Sequence, residues 1–191
     1  RLGRLTLDPL AHLDPIGSIM FVLTALTGYG IGWAKPVPFD PRNFENPRVG
    51  MMLVAIAGPV TNLLQVPFWF CGLWLTRIVL MHNPALLAQA GSDYSAPVIV
   101  ATVFQYGLFV NLLLAAFNMI PFPPLDGHWI LEGLGPPAVS DLYRSLRPLG
   151  VLPIFLLTFI PSTNNSILDM IISPAMRLGE ILFGLAMGIR L

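Results

Sequence analysis

Residues Val98–Ile120, VIVATVFQYGLFVNLLLAAFNMI, run directly into Pro121-Phe-Pro-Pro-Leu-Asp-Gly127. The first part contains no charged side chain, and a helix of about 20 apolar residues is long enough to cross the hydrocarbon core of a bilayer. The proline cluster then ends the helix, because proline has no backbone N–H to donate. The stretch therefore predicts a membrane span that stops at a rigid turn near one membrane face.

The composition extends this prediction to the whole chain. Hydrophobic residues make up 55% and charged residues 10% of the 191 residues, whereas a soluble domain has roughly 45–50% apolar and about 25% charged residues. Ten Lys and Arg balance ten Asp and Glu, so the chain has no basic field that would attract nucleic acid. The sequence predicts an integral, multi-pass membrane protein with no nucleic-acid partner.

Further apolar stretches lie on both sides of this span. Val49–Leu80 is apolar apart from Arg77 and contains Pro59 and Pro67, which predicts one long helix that kinks or tilts. Ile16–Trp33 is uncharged, although its second half is rich in glycine and forms helix poorly. Between the two central spans, the polar and turn residues of Asn83–Ala96 predict a loop outside the membrane.

The C-terminal part, residues 138–191, is expected to form further helices. Ala138–Arg147 is amphipathic, Leu149–Ile160 is apolar but short, and Ile167–Leu191 is long but interrupted by Pro174 and two charges. The fold expected is an all-α membrane protein, a polytopic bundle of about four to five transmembrane helices in a single domain over residues 1–191. The positions of Lys and Arg leave its orientation open, because basic residues both precede and follow the first span.

The segment 34–48 contains four prolines and is predicted to be extended. In an extended chain, Pro36 and Pro38 block one edge, while Lys35, Val37 and Phe39 keep their N–H groups on the other. Two interpretations remain open. The segment is a rigid loop between helices, or it is a strand that receives an extended peptide by edge addition.

Polar side chains within the apolar stretches fall on two helix faces. Gly58, Asn62 and Gln65 share one face of the second stretch, and Asn111 and Asn118 share one face of the third. Such residues stabilise helix contacts by close approach and hydrogen bonding. Alternatively, the two faces meet and line one interior space.

Asp126 also allows two interpretations. Pro-Pro-x-Asp-Gly is ordinary turn chemistry, in which proline fixes φ and glycine accepts a positive φ. A carboxylate held rigidly at the membrane end of a helix is equally an oxygen ligand that could complete a metal site. His12, His82 and His128 show no pair at i, i+4 spacing, so the chain holds no complete zinc-ligand set of its own.

Five motifs, taken in order, resemble the site-2 protease family of intramembrane zinc metalloproteases, especially its small bacterial and archaeal members without a PDZ domain. They cover about Leu5–Leu131 and are LTLDPLAHLDPIG from Leu5, GWAKPVP from Gly32, NFENPR from Asn43, GPVTN from Gly58 and FNMIPFPPLDG from Phe117. The resemblance implies proteolysis of transmembrane protein or peptide substrates within the bilayer of a prokaryotic cell, known as regulated intramembrane proteolysis.

The resemblance also implies roles for single residues. Asp126 would be a zinc ligand, Asn118, Pro124 and Gly127 would belong to the loop that shapes the active site and holds substrate, and Asn62 would belong to the neighbouring helix. The family's other ligands lie in His-Glu-x-x-His on a preceding helix, where the glutamate is the general base. That motif is absent here and is expected before Arg1, so no catalytic residue is assigned within this chain, which alone is expected to be inactive.

Two other functions fit the same chain. One is a non-catalytic membrane scaffold that kept the bundle and lost the metal. The other is a small transporter, suggested by the broken helices and the asparagines inside the apolar stretches. The sequence leaves the substrate and the oligomeric state open.

Overall fold

The computed structural model describes residues 6, 8–11, 13–27, 40–89, 95–150, 152, 161–162 and 165–189. The chain forms two compact units, Arg1–Asp40 and Pro41–Leu191. In the first unit, a short 3-10 helix at Pro9–Ala11 precedes helix α1, Pro15–Thr27. Asp14 caps α1 by accepting a hydrogen bond from the Gly17 N–H at 2.8 Å. The rest of the predicted span Ile16–Trp33 lies outside the described residues.

The second unit is helical over most of its described length. Its elements are the 3-10 helix Pro41–Asn43, α2 (Pro47–His82), α3 (Pro84–Gln89), α4 (Ala96–Asn118), α5 (Asp126–Leu134), α6 (Pro137–Leu146), the 3-10 helix Arg147–Leu149, β1 (Pro161–Ser162), β2 (Asn165–Ser166) and α7 (Ile167–Met187). The two short strands pair antiparallel. Apart from this pair of two-residue strands, the described elements are helices, and the predicted all-α fold is confirmed.

Within the described residues, three helices are long and apolar enough to cross a membrane. They are α2, α4 and the Leu168–Met187 part of α7. The long second span was correctly predicted as one helix, with Pro59 and Pro67 inside it. The other predicted apolar stretch, Leu149–Ile160, lies almost wholly outside the described residues.

The structure corrects two predicted irregular segments. Of the proline-rich segment 34–48, residues 40–48 are described, and they contain the 3-10 helix Pro41–Asn43 and the first residues of α2 rather than an extended chain. Proline suits a first helical turn, where its missing N–H has no partner to lose, and Asn46 caps α2 by accepting from the Val49 N–H at 3.2 Å. The predicted loop Asn83–Ala96 contains the short helix α3.

The core of the bundle lies where α2, α4 and α7 meet. Leu73, Leu108, Leu112 and Ala186 are buried there, surrounded by aromatic and aliphatic side chains. By contrast, large apolar side chains cover the outer surface, and Leu64 is 73% and Phe68 64% exposed. Since exposing apolar area to water costs about 25 cal/mol per Å², this outer surface is suited to lipid.

Candidate metal centre

The turn between α4 and α5 carries the candidate ligand. Helix α4 ends at Asn118, and Met119 caps it with an N–H that donates to Ala115 O and Ala116 O. The chain then folds back through the proline cluster, in which the Pro123–Pro124 peptide bond is cis. Asp126 begins α5. The turn therefore presents this carboxylate at the first position of a helix.

Asp126 lies against the first third of α2. Its carboxylate faces Gly58 so closely that a methyl group built on Gly58 would lie 2.8 Å from Asp126 Oδ2, well inside van der Waals contact. The residue is half-buried, and burial raises the pKa of its carboxyl group above the ordinary value. Two of the sequence motifs thus meet at one point, where only a residue without a side chain leaves room for the carboxylate.

Gly127 is required for a different reason. It is buried, and a Cβ at this position would lie 2.3 Å from Met119 O and 2.5 Å from Ile120 O. These are backbone carbonyl oxygens at the end of α4, which cannot rotate away as the end of a side chain can. Gly127 therefore lets α5 start directly against the end of α4.

We expect Gly127→Ala to destabilise the fold, because the added methyl group must push the backbone of the turn aside. Overpacking of this kind costs about 1–3 kcal/mol. Thermal unfolding of the purified protein in detergent would measure the loss. An unchanged melting temperature would mean that the turn is not held as tightly as this contact requires.

Two buried side chains brace the same turn from the side of α5 and α6. His128 is 2% exposed, and its Nδ1 donates to the Leu125 carbonyl oxygen at 2.5 Å. Tyr143 is also buried, and its hydroxyl group donates to Pro121 O at 3.0 Å. The two rings meet edge to face with centroids 5.5 Å apart. The proline turn is therefore fixed at both ends by side chains.

Sequence reasoning did not assign these roles. Burial lowers the pKa of His128, which favours the neutral ring, and this fits its use as a hydrogen-bonding core residue. His82 is exposed and bonds only to Ile78 O in its own helix, while His12 lies outside the described residues. The one available signal for Tyr143 was the amphipathic pattern of α6, which places it on the apolar face.

Tyr143→Phe is expected to loosen the turn, because it removes the hydrogen bond to Pro121 O and keeps the ring. The net cost of such a bond is about 1 kcal/mol. Amide hydrogen exchange should become faster at Ile120, Phe122, Leu125 and Asp126, the residues of this turn that carry an N–H. Tyr106→Phe provides the control, because Tyr106 is 67% exposed, and equal exchange in both variants would contradict the brace.

The other predicted site residues are placed around this turn. Asn62 is half-buried one helical turn after Gly58, Asn118 is half-buried at the end of α4, and Pro124 is exposed. The predicted meeting of two polar helix faces is not seen for their other members. Asn111 donates to Gly107 O at 2.8 Å and Gln65 to Thr61 O at 3.4 Å, each within its own helix.

The described metal-binding side chains supply only part of what a zinc ion requires. Zinc takes four ligands, mostly His, Cys and carboxylate groups. In the part of the chain that the structure describes, no group of three or more such side chains comes together. Asp126 fits the role of one ligand, since its half-buried carboxylate makes no hydrogen bond to a described residue. A complete centre requires ligands from elsewhere.

An apolar cavity of about 460 Å³ lies next to the candidate ligand. Its lining includes Pro59, which follows Gly58, and Ile130, one turn after Asp126 on α5. The remaining lining residues come from α2, α4 and α7 and are all apolar. The site therefore combines one carboxylate with a space suited to hydrophobic side chains.

Curated proteins of other organisms are similar to this chain. A protein of Bacillus subtilis named "Putative zinc metalloprotease YwhC" is 37% identical over 166 residues, which make up 87% of this chain and 69% of that protein. Rip2 of Mycolicibacterium smegmatis, named in the same terms, is 26% identical over 88% of this chain and 59% of its own length. No family model and no solved structure matches.

The match to YwhC covers most of both proteins. A relative from Methanocaldococcus jannaschii, again named a zinc metalloprotease, is 30% identical over 41% of this chain and 32% of its own length. The chain belongs to the site-2 protease family of zinc metalloproteases.

Proposed function

We propose that the full-length protein is a zinc-dependent endopeptidase that cleaves transmembrane substrates within the bilayer. The observation that carries this proposal is the position of the Asp126 carboxylate, held against Gly58 of a spanning helix and beside an apolar cavity. A hard oxygen ligand at such a place has a clear chemical use, whereas a turn aspartate needs no such surroundings.

The depth of the carboxylate supports cleavage inside the membrane. Arg48 marks the polar beginning of α2, and Gly58 lies ten residues further along, which is about 15 Å along the helix axis. This is about half of the roughly 30 Å hydrocarbon thickness. Because a tilted α2 gains less depth than this axial length, Asp126 would lie inside the hydrocarbon core at a level that a substrate helix also passes through.

Each predicted site residue has a proposed role. Asp126 is one zinc ligand, Gly58 leaves space for its carboxylate, and Gly127, together with Asn118 and Pro124, shapes the turn that carries it. Asn62, one turn from Gly58, faces the substrate region. Zinc, when bound, lowers the pKa of a coordinated water to about 7. The two histidines and the general base are proposed to come from a His-Glu-x-x-His segment that precedes Arg1.

The apolar cavity indicates the class of substrate. Its lining offers no charged group, so a hydrophobic side chain of a membrane segment is the natural occupant. The substrate helix is proposed to unwind before it is cleaved. Peptide hydrolysis requires such unwinding, since a helix shields its carbonyl groups by hydrogen bonding.

The test uses the full-length protein reconstituted with a single-span membrane substrate. We expect about one zinc ion per chain, cleavage within the spanning segment, loss of cleavage with 1,10-phenanthroline and recovery when zinc is restored. Cleavage that resists the chelator would contradict the metal mechanism. A reading frame that encodes no His-Glu-x-x-His upstream of Arg1 would also contradict the metal mechanism.

A non-catalytic scaffold is the second candidate, favoured by the single ligand among the described residues. It predicts a folded full-length protein without stoichiometric zinc. Metal analysis therefore separates the two functions before any substrate is known.

A further inference from the structure

A second cavity, of about 310 Å³, opens at the beginning of α2, away from the candidate metal centre. It is formed by α2, α5, α6 and the 3-10 helix after α6, and its polar lining residues are Arg48, Trp129, Glu132, Ser140, Arg144 and Arg147. Three of the chain's ten basic residues therefore surround one cavity, in a protein where charge is scarce.

Arg48 forms a fixed wall of the cavity. Its Nε donates to Glu132 O at 2.6 Å, and a terminal nitrogen donates to Gly135 O. These carbonyl groups end α5, where the helix dipole favours a cation. Arg48 thus holds α5 to α2 with two of its five N–H groups. The other three N–H groups can donate to a ligand in the cavity.

Arg147 is held over an aromatic ring. Its guanidinium carbon lies 4.1 Å from the centroid of the Trp129 ring, and a terminal nitrogen contacts Glu132 Oε2 at 2.5 Å. Stacking and pairing fix the plane of this guanidinium group. A planar guanidinium in a fixed orientation is suited to binding the oxygens of a phosphate group.

The charges do not cancel within the cavity. The three arginines face one carboxylate, Glu132, which leaves a net charge of two, and Asp141, paired at 3.1 Å with Arg144, reduces it to one. The side chains of Arg144 and Asp141 are 75% and 70% exposed, so water screens their ion pair and makes it weak. A single negative charge would complete the balance.

The cavity also lies where lipid head groups are expected. It opens at the capped beginning of a spanning helix and beside the amphipathic α6. The membrane interface is the region that tryptophan favours, and arginine side chains near helix ends extend to it. Basic pockets next to transmembrane helices bind anionic lipid head groups. A phosphodiester with one negative charge matches the cavity in charge and position.

We propose that this arginine cavity binds the phosphate group of an anionic membrane phospholipid. The guanidinium groups of Arg48 and Arg147 and the Ser140 hydroxyl group contact the phosphate oxygens, and Arg144 closes the open side. The acyl chains leave along the exposed apolar surface. This site is separate from proteolysis, and lipid binding is measured without a cleavage assay.

The experiment measures lipid binding to the full chain in dodecyl maltoside, by native mass spectrometry and by the shift in melting temperature. The probes are dioleoylphosphatidylglycerol and the zwitterionic dioleoylphosphatidylcholine. We expect phosphatidylglycerol to bind more tightly and to raise the melting temperature more. An exposed charge pair contributes up to about 1 kcal/mol, so loss of the contact between Arg144 and the phosphate in Arg144→Gln should weaken phosphatidylglycerol binding up to about fivefold.

Controls separate this site from general surface charge. Arg42→Gln removes the same charge from an exposed residue close to the start of α2 and should leave the affinity unchanged. Arg147→Lys keeps the charge but loses the planar stacking, and it should weaken binding partly. Equal binding of both lipids, equal loss in Arg42→Gln, or displacement of phosphatidylglycerol by millimolar inorganic phosphate would overturn the assignment to a lipid.

Discussion

Asp126→Asn in the full-length protein is expected to abolish cleavage and to remove most of the bound zinc, while the helices stay assembled. Asparagine has the same size, but it lacks the negative charge that binds zinc. Even a partner that only supports a metal ligand costs about 10–100-fold in affinity when it is lost, so loss of the ligand itself should exceed about 100-fold. Zinc content and cleavage of a reconstituted substrate measure the two effects.

Asp141→Asn is the matched control for this substitution. Asp141 is a highly exposed carboxylate on α6, and its ion pair is with Arg144 on the same helix. The control should keep both zinc and activity. Full cleavage by Asp126→Asn would remove Asp126 from the ligand set, and unfolding of that variant would be visible as a lost melting transition.

Gly58→Ala should separate activity from stability. The new methyl group would lie 2.8 Å from Asp126 Oδ2, and the carboxylate is the free end of a side chain that can turn away. The methyl group meets no backbone atom, so the backbone need not shift. Alanine is also favoured over glycine within a helix by roughly 0.5–1 kcal/mol. We therefore expect an unchanged or slightly higher melting temperature, together with a loss of zinc affinity and cleavage of about 10-fold or more.

Ala57→Val controls for bulk on the same helix. Ala57 is exposed, so the larger side chain points away from Asp126 and activity should persist. Gly58→Ala with full activity would show that the carboxylate does not need the space that the glycine leaves. Gly127→Ala gives the opposite pattern, because there the obstacle is backbone and the loss appears first in stability.

Local sequence signals predicted the parts of the fold that depend on neighbouring residues. Long apolar stretches identified α2 and α4, and the proline cluster marked the turn after α4. The extended chain that proline predicts is wrong at residues 41–48. The cap provided by Asn46 and the tolerance of a first helical turn for Pro47 decide the structure there.

Contacts between distant residues could not be predicted from the sequence. Gly58 and Asp126 were each noticed, but nothing in their spacing shows that one faces the other. The same holds for Tyr143, whose hydroxyl group reaches a carbonyl 22 residues away, and for Arg48, which bonds to α5 across 84 residues. Only packing of the helices brings these groups together, and the role of Asp126 as a ligand stays a prediction.

The length of α2 bears on how the candidate centre would respond to lipid composition. Its 36 residues span about 54 Å, far more than a bilayer core of about 30 Å, so the helix tilts or extends beyond the hydrocarbon, and a tilted helix leans further in a thinner bilayer. Helix α5 is fastened to α2 at one end by Arg48 and meets it at the other through Asp126 and Gly58. The two helices would therefore tilt together as a rigid body, and the contact between Gly58 and the Asp126 carboxylate would stay the same when the bilayer thickness changes.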